Sequence, residues 1–281
     1  MMTSYAHPES LVETSWVAEH LKDPKVRLVE VDVDTTAYEQ GHISGAVGWD
    51  WTTQTQDTLR RDILNKQQLE ALLSQSGIAN DSEVILYGDN NNWFAAYALW
   101  LLKMYDHPQA RLMNGGRKKW LEEGRPTTTE APRPVPARYK VSDVNLSLRA
   151  RYNNVLDSLG KSNFAMVDVR SPAEFTGEVL APPGLSETAQ RGGHIPGAAN
   201  IPWAQAVQAD GTFKSADELK ALYESKGITG NKDVVAYCRI GERSSHTWFV
   251  LKELLGYPSV RNYDGSWTEW GSMIGVPVEK P

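Results

Sequence analysis

"EVILYGDNNNWFAAYALWLLKMYDHPQARLMNGGRKKW", residues 83 to 120, lies over "DVVAYCRIGERSSHTWFVLKELLGYPSVRNYDGSWTEW", residues 233 to 270, at a constant offset of 150. Tyr87 falls on Tyr237, Gly115 on Gly265 and Trp120 on Trp270. In each copy a short β-branched run leads through a turn into a helical pattern. An internal repeat of this kind is the signature of one structural unit used twice.

The repeat extends upstream. "RLVEVDVDTTAYEQGHISGAVGWDW", residues 27 to 51, resembles "AMVDVRSPAEF", residues 165 to 175, followed after an insertion by "GGHIPGAANIPW", residues 192 to 203. Between the copies, "RPTTTEAPRPVPARY", residues 125 to 139, is rich in proline and threonine and suits an extended connection better than a helix or a central strand. The expected division is residues 1–130, a proline-rich linker over 131–147, and residues 148–281.

Within each copy the apolar runs alternate with helical patterns. "NKQQLEALLSQSGI" offers Asn65 as N-cap with Gln68 three residues on, and "SADELKALYESKGI" offers Ser215 with Glu218, the spacing of a capping box. Strands alternating with helices predict an α/β fold, here two tandem domains, each a mainly parallel sheet flanked by helices. In such sheets ligands bind beyond the carboxyl ends of the strands.

Composition agrees. A chain of 281 residues fits two domains of about 140 residues each, and 41% hydrophobic content with ten tryptophans describes a folded protein. The net charge of −6 leaves no basic footprint for nucleic acid. No stretch reaches the ~18 apolar residues of a membrane span, and the start of the chain has no basic residues followed by an apolar core, so a cytoplasmic location without membrane contact is expected. The apolar segment 93–104 is too short to span and is expected to be buried.

Cys238 is the only cysteine in the chain, so it forms no internal disulfide and anchors no cysteine-rich metal site. It stands at the end of the run "VVAY", ahead of a helix carrying Trp248, Phe249, Leu251, Leu254 and Leu255 at helical spacing. Six residues, Cys238 to Arg243, turn the chain from strand to helix. A turn that tight aims several backbone N–H groups at the sulfur, and with Arg239, Arg243 and the helix N-terminus it is expected to lower the thiol pKa below ~8.5. The pattern is that of an activated nucleophile.

Two chemistries use a cysteine followed by an anion-binding loop: phosphoryl transfer through phosphocysteine and sulfur transfer through a persulfide. Cysteine-dependent phosphatases carry Cys-x5-Arg, whereas this chain has Cys-x4-Arg, a smaller ring that suits a single sulfur atom, and Glu242 would repel a phosphate dianion. The loop "CRIGER", the duplicated "GHI-x-GA", "VDVR" and "YDGSW" resemble the tandem-domain rhodaneses, the thiosulfate sulfurtransferases. The resemblance covers nearly the whole chain, and only the second copy keeps the cysteine, so the first domain is expected to be inactive and the second catalytic.

The resemblance implies ping-pong covalent catalysis. Cys238 would take the sulfane sulfur of thiosulfate or another donor, and cyanide or a thiol would remove it, with no metal or organic cofactor. Arg243 would stabilise loop and thiolate, Arg239 at the rim would attract a dianion, and the main-chain amides of Ile240, Gly241, Glu242, Arg243 and Ser244 would hold the persulfide. Two positions depart from the animal-type pattern: Ile240 replaces a basic residue and Glu174 replaces an arginine. Arg170 in "VDVR" and Arg191 in the insertion are candidates to replace those charges in substrate binding. The related mercaptopyruvate sulfurtransferases typically carry a small uncharged loop that Arg239 and Glu242 do not match; that activity, or a persulfide carrier without turnover, is the alternative.

Other residues read as structural. In the first copy Gly88 replaces the cysteine and "DNNNW" follows without arginine, so this loop is expected to pack against the second domain and, with Trp93, to wall the cleft above Cys238. His42 and His194 occur in both copies, as do Glu30 and Asp168 at matched positions, which favours fold roles. Trp267 is expected to pack near the cleft. His246 is taken as a surface residue.

Overall fold

The computed structural model describes residues 4–182 and 188–281. Part of the insertion in the second copy, residues 183–187, lies outside the described residues. The first copy runs β1 (Leu11–Val12), α1 (Thr14–His20), β2 (Val26–Asp32), α2 (Thr36–Gln40), β3 (Val47–Asp50), α3 (Trp51–Gln54), α4 (Lys66–Gln75), β4 (Glu83–Tyr87), α5 (Asp89–Met104), β5 (Ala110–Met113) and α6 (Gly116–Glu122). The second runs β6 (Arg149–Ala150), α7 (Tyr152–Leu156), β7 (Phe164–Asp168), α8 (Pro172–Thr176), β8 (Ala199–Asn200), α9 (Ala216–Glu224), β9 (Asp233–Tyr237), α10 (Glu242–Phe249), β10 (Val260–Tyr263) and α11 (Ser266–Trp270).

Each copy builds a five-stranded sheet with every pairing parallel, in the orders β1-β5-β4-β2-β3 and β6-β10-β9-β7-β8. β4 and β9 lie at the centre and are buried along nearly their whole length, as expected of parallel strands covered on both faces. One compact unit holds Glu9–Leu146 together with Ala209–Phe213; the other holds Ser147–Gln208, Lys214–Pro281 and the described residues up to Pro8. The proline-rich segment carries no helix or strand over 129–145, and it binds the first unit through Ala137 N–H on Ser74 O at 2.9 Å and Tyr139 N–H on Ser74 Oγ at 3.1 Å.

Both capping boxes read from the sequence form, at Asn65 with Gln68 and at Ser215 with Glu218. The "GHI" motifs do the same work in both copies. Ile43 N–H donates to the Tyr87 hydroxyl and Ile195 N–H to the Tyr237 hydroxyl, each at 3.1 Å. His42 stacks on Tyr38 with its Nδ1 2.9 Å from Tyr38 O, and His194 stacks on Phe175 with its Nδ1 2.9 Å from Phe175 O. Gly45 and Gly197 follow with φ of 83° and 75°, the left-handed region where glycine meets no Cβ penalty.

The matched acids take their arginines from different places. Glu30 pairs with Arg117 at 2.7 Å, while Asp168 pairs with Arg170 at 2.6 Å. The offset of 150 puts Trp267 at the position of Arg117, and the Arg170 guanidinium lies over that ring, 4.7 Å from its centroid. Each domain thus fills the same buried spot with one acid and one arginine.

α5 is buried along most of its length, and among the described residues no helix is long and apolar enough to cross a membrane.

Candidate active site

β9 ends at Tyr237, so Cys238 emerges beyond the carboxyl end of the central strand, directly before α10. Gly241 sits at the N-cap of α10 with φ 104°, and a Cβ there would come within 2.9 Å of Asp264 Cα, so this turn admits only glycine. Its N–H lies 3.1 Å from Cys238 Sγ, the short sulfur contact that a tight loop produces.

The segment "YDGSW" clasps the other side of the thiol loop. Cys238 N–H donates to Ser266 Oγ at 3.1 Å, while Trp267 N–H and Thr268 N–H donate to the carbonyls of Cys238 and Arg239, each at 3.0 Å. Ser266 takes a left-handed conformation, φ 51°, which an ordinary residue adopts only where its surroundings hold it; here its hydroxyl also donates to Tyr263 O at 2.7 Å.

The Gly241 carbonyl accepts from Ser245 Oγ at 2.7 Å, Ser244 Oγ at 3.1 Å and Asn262 Nδ2 at 3.2 Å. Asn262 also accepts from Ser244 Oγ at 2.7 Å and donates to Ser245 Oγ at 2.8 Å. Ser245, Asn262 and Ser266 are loop-fixing residues that the sequence reading missed. An asparagine inside a strand, between Val260 and Tyr263, was the available signal, since a buried amide must find partners.

Arg243 turns back from α10 to meet Glu174 on α8. Two parallel bonds of 3.0 Å join Nη1 to Oε2 and Nη2 to Oε1, a bidentate fork buried on both sides. Burial alone would raise the Glu174 pKa, but the Arg243 fork, aided by Ser171, holds it below the usual carboxylate value. Arg243 is likewise held more firmly protonated: burial opposes its charge, and Glu174, Cys238 and Glu242 outweigh that cost. Glu174 is fixed by a capping box with Ser171, whose N–H and hydroxyl both donate to Oε2 at 3.0 Å. "SPAE" shows this spacing in the sequence.

The environment of Cys238 differs from the expectation. The thiol is fully buried, and its pKa is raised, first by desolvation and then by the Glu242 carboxylate. Arg243 and Ser244 pull it down without reversing the shift. The S–H donates to Glu242 Oε2 at 3.3 Å, so the resting loop holds a hydrogen-bonded thiol and not the thiolate expected from the arginines.

Three further expectations change. His246 is buried against Trp203, ring centroids 5.8 Å apart, and burial holds its pKa down to about 3; eight consecutive residues of α10 are covered, so helix position alone did not predict exposure. Arg239 is 5% exposed and does not stand on an open rim. Both replacement arginines are engaged by groups of their own domain. Arg170 is enclosed, with Nε and Nη2 on Asp168 and Nη2 on Gly193 O at 2.8 Å. Arg191 binds the carbonyls of Gly271 at 3.0 Å, Trp270 at 3.2 Å and Met273, closing the C-terminal end of α11.

Ile240, Gly241, Glu242 and Ser244 do gather at the loop with Cys238 and Arg243, all buried or nearly so. At the matched place in the first domain, Gly88 is followed by Asn90, Asn91 and Asn92 with φ of 51°, 53° and 64°. Asparagine tolerates this region better than other side chains. Asn92 locks the turn, accepting from Gly88 N–H at 3.0 Å and donating to Met113 O at 2.8 Å.

Comparison with known proteins gives the same architecture. A model described as a rhodanese-like domain matches residues 13–123 and again 152–273. The chain is 58% identical over 280 residues to a protein of Thermus thermophilus named sulfur carrier protein TtuD, with 98% of each chain covered. It is 55% identical over 274 residues to a protein of Saccharopolyspora erythraea named "Putative thiosulfate sulfurtransferase", with 97% of each covered. The crystal structure of YnjE superposes with a TM-score of 0.83 at 25% identity, covering 99% of this chain and 70% of that one.

Proposed function

The chain belongs to the rhodanese-like domain family, and we propose that it is a sulfurtransferase in which Cys238 carries the sulfur as a persulfide. The observation that carries this reading is the position of the thiol: Sγ stands at the carboxyl end of the central strand, 3.1 Å from Gly241 N–H, in the turn that leads into α10. In the first half-reaction the sulfur of Cys238 attacks the outer sulfur of thiosulfate or another sulfane-sulfur donor. The Sγ–S bond forms, the donor's S–S bond breaks, and sulfite or a thiolate leaves with the electron pair. In the second, cyanide or a thiol attacks the terminal sulfur and Cys238 departs with the pair.

Gly241 N–H and the N-terminal turn of α10 favour negative charge on either sulfur. Arg243 lends its charge from the fork with Glu174, and Arg239 is the remaining cation of the loop. Intact mass after incubation with thiosulfate, then with cyanide, tests the cycle. The wild type should gain about 32 Da, one sulfur, and lose it to cyanide as thiocyanate, while Cys238→Ser gains nothing and keeps its fold. A wild type that gains no mass with thiosulfate, mercaptopyruvate or a low-molecular-weight persulfide would remove the proposal.

One observation favours a second reading, a sulfur carrier loaded by another protein. Glu174 occupies both terminal nitrogens of Arg243, so the loop offers less positive charge to a dianion than the family's pattern leads one to expect. The name of the Thermus relative points the same way. Steady-state sulfite release separates the two: a Cys238 persulfide without turnover on thiosulfate and cyanide supports the carrier.

A further inference from the structure

Glu242 lies inside the sulfur loop, where a second negative charge is at first sight a liability. Its carboxylate is buried, and Oε2 accepts the Cys238 S–H at 3.3 Å while Oε1 stands 3.6 Å from Arg243 Nε. Among the described residues the other contacts of Sγ offer the thiol proton no nearer acceptor. Gly241 N–H is a donor, the Ser244 hydroxyl, 3.6 Å away, is directed at Asn262 Oδ1 and the Gly241 carbonyl, and Ser266 Oγ, 4.0 Å away, already accepts Cys238 N–H and donates to Tyr263 O. Cys238 has no exposed surface from which to lose a proton directly to solvent.

We propose that Glu242 is a catalytic residue that takes the Cys238 proton when the sulfur attacks and returns it when the sulfur leaves. This rests on the sulfur-transfer reading and extends it by one proton. In the resting loop the pair is a thiol and a carboxylate. On attack, the S–H bond breaks, the proton passes to Oε2, and the electron pair freed on Sγ forms the bond to the sulfane sulfur as the donor's leaving group departs with its own pair. The terminal sulfur of the new persulfide carries the negative charge, and the neutral Glu242 carboxyl faces the disulfane. When an acceptor removes that sulfur, Sγ receives the bonding pair and takes the proton back from Oε2. The loop holds one negative charge in both states, which avoids placing a sulfur anion and a carboxylate side by side.

The charged groups around Glu242 are largely paired among themselves. Arg243 neighbours it on α10 and is itself paired with Glu174 from α8. Arg239 stands in the same loop. Asp264, behind Gly241, is bound by Arg149 in a fork of 2.8 Å bonds, and Asp168 is bound by Arg170. His246, one turn along the helix, is kept neutral by burial. Burial and Glu242 together raise the thiol pKa, which is the condition under which a built-in proton acceptor is needed near neutral pH.

The test is the pH profile of Cys238 alkylation by iodoacetamide, followed by intact mass, in wild type, Glu242→Gln and Glu242→Asp. One cysteine in the chain makes the mass readout unambiguous. Glu242→Gln should react at least tenfold more slowly than wild type at pH 7, and its rate should then climb about tenfold per pH unit until the two curves meet at high pH. Glu242→Asp, which keeps a carboxylate, should fall between them. A Glu242→Gln rate equal to or above wild type at pH 7 overturns the proposal, because that is what a merely repulsive carboxylate predicts. Alkylation needs no sulfur donor, so a wild type that takes no sulfur yet shows the carboxylate-dependent profile sinks the sulfur-transfer reading and leaves the proton acceptor standing.

Discussion

Replacing Glu174 by glutamine removes one charge from a buried fork and keeps its shape. The side chains of Arg243 and Glu174 are 6% and 1% exposed, and both bonds between them measure 3.0 Å. Breaking such a pair from one side leaves the other charge buried without compensation, which costs about 3–5 kcal/mol. In a domain of roughly 130 residues that corresponds to a fall in Tm of about 10–15 °C. The sign of the pH dependence follows from the lowered Glu174 pKa. Its stabilisation is fully present above the unfolded value of 4.5 and is lost as pH falls through the folded value. Denaturant unfolding of wild type and Glu174→Gln at pH 7 and again below pH 4.5 measures both effects, and the gap between the curves should be large at pH 7 and close in acid. The freed Arg243 charge should also draw Cys238 toward thiolate and speed its alkylation at pH 7. A loss below about 1 kcal/mol at pH 7, the value typical of an exposed pair, would refute the account of the fork.

Two further outcomes are expected. The Asp32 carboxyl, buried beside Glu30 and Asp89, has its pKa pushed up to about 8 from 3.8, so it lowers stability progressively as pH rises through that window. Asp32→Asn should therefore unfold at higher denaturant than wild type at pH 8 and match it near pH 3.8; equal midpoints at pH 8 would contradict the burial argument. His246, held neutral with a pKa near 3, favours the folded state fully above about 6.5 and loses that contribution as pH falls toward 3, at about 1.4 kcal/mol per unit once well below 6.5. Wild-type stability should drop across that range more steeply than that of His246→Leu, and parallel curves would show that the imidazole is not the sensor.

The repeat, its parallel sheets and the strand–loop–helix setting of Cys238 were legible because they rest on local rules. Apolar runs of strand length, capping boxes at fixed spacing and a glycine where only φ above zero serves are written in neighbouring residues. The paired "GHI" motifs were legible for the same reason: a histidine that appears with and without a nucleophile nearby is more useful to the turn than to catalysis. What escaped the sequence lay across the fold. Ser266 and Asn262 reach the thiol loop from 28 and 21 residues away along the chain, and nothing local in "SVRNYDGSW" names their partners.

The electrostatics escaped most completely. Counting arginines near Cys238 predicted a lowered thiol pKa, since charge can be read from sequence while burial and pairing cannot. Arg243 is engaged by Glu174 from 69 residues away, Arg170 by Asp168, and Arg191 by backbone carbonyls of the last helix. The sequence by itself determined the duplicated α/β fold and the position of the one thiol, because strand and helix periodicity are properties of consecutive residues. Only the tertiary structure decided the environment of that thiol, because the largest effect on it is desolvation, and the fold alone sets how deeply the loop is buried and which charges near it are already paired.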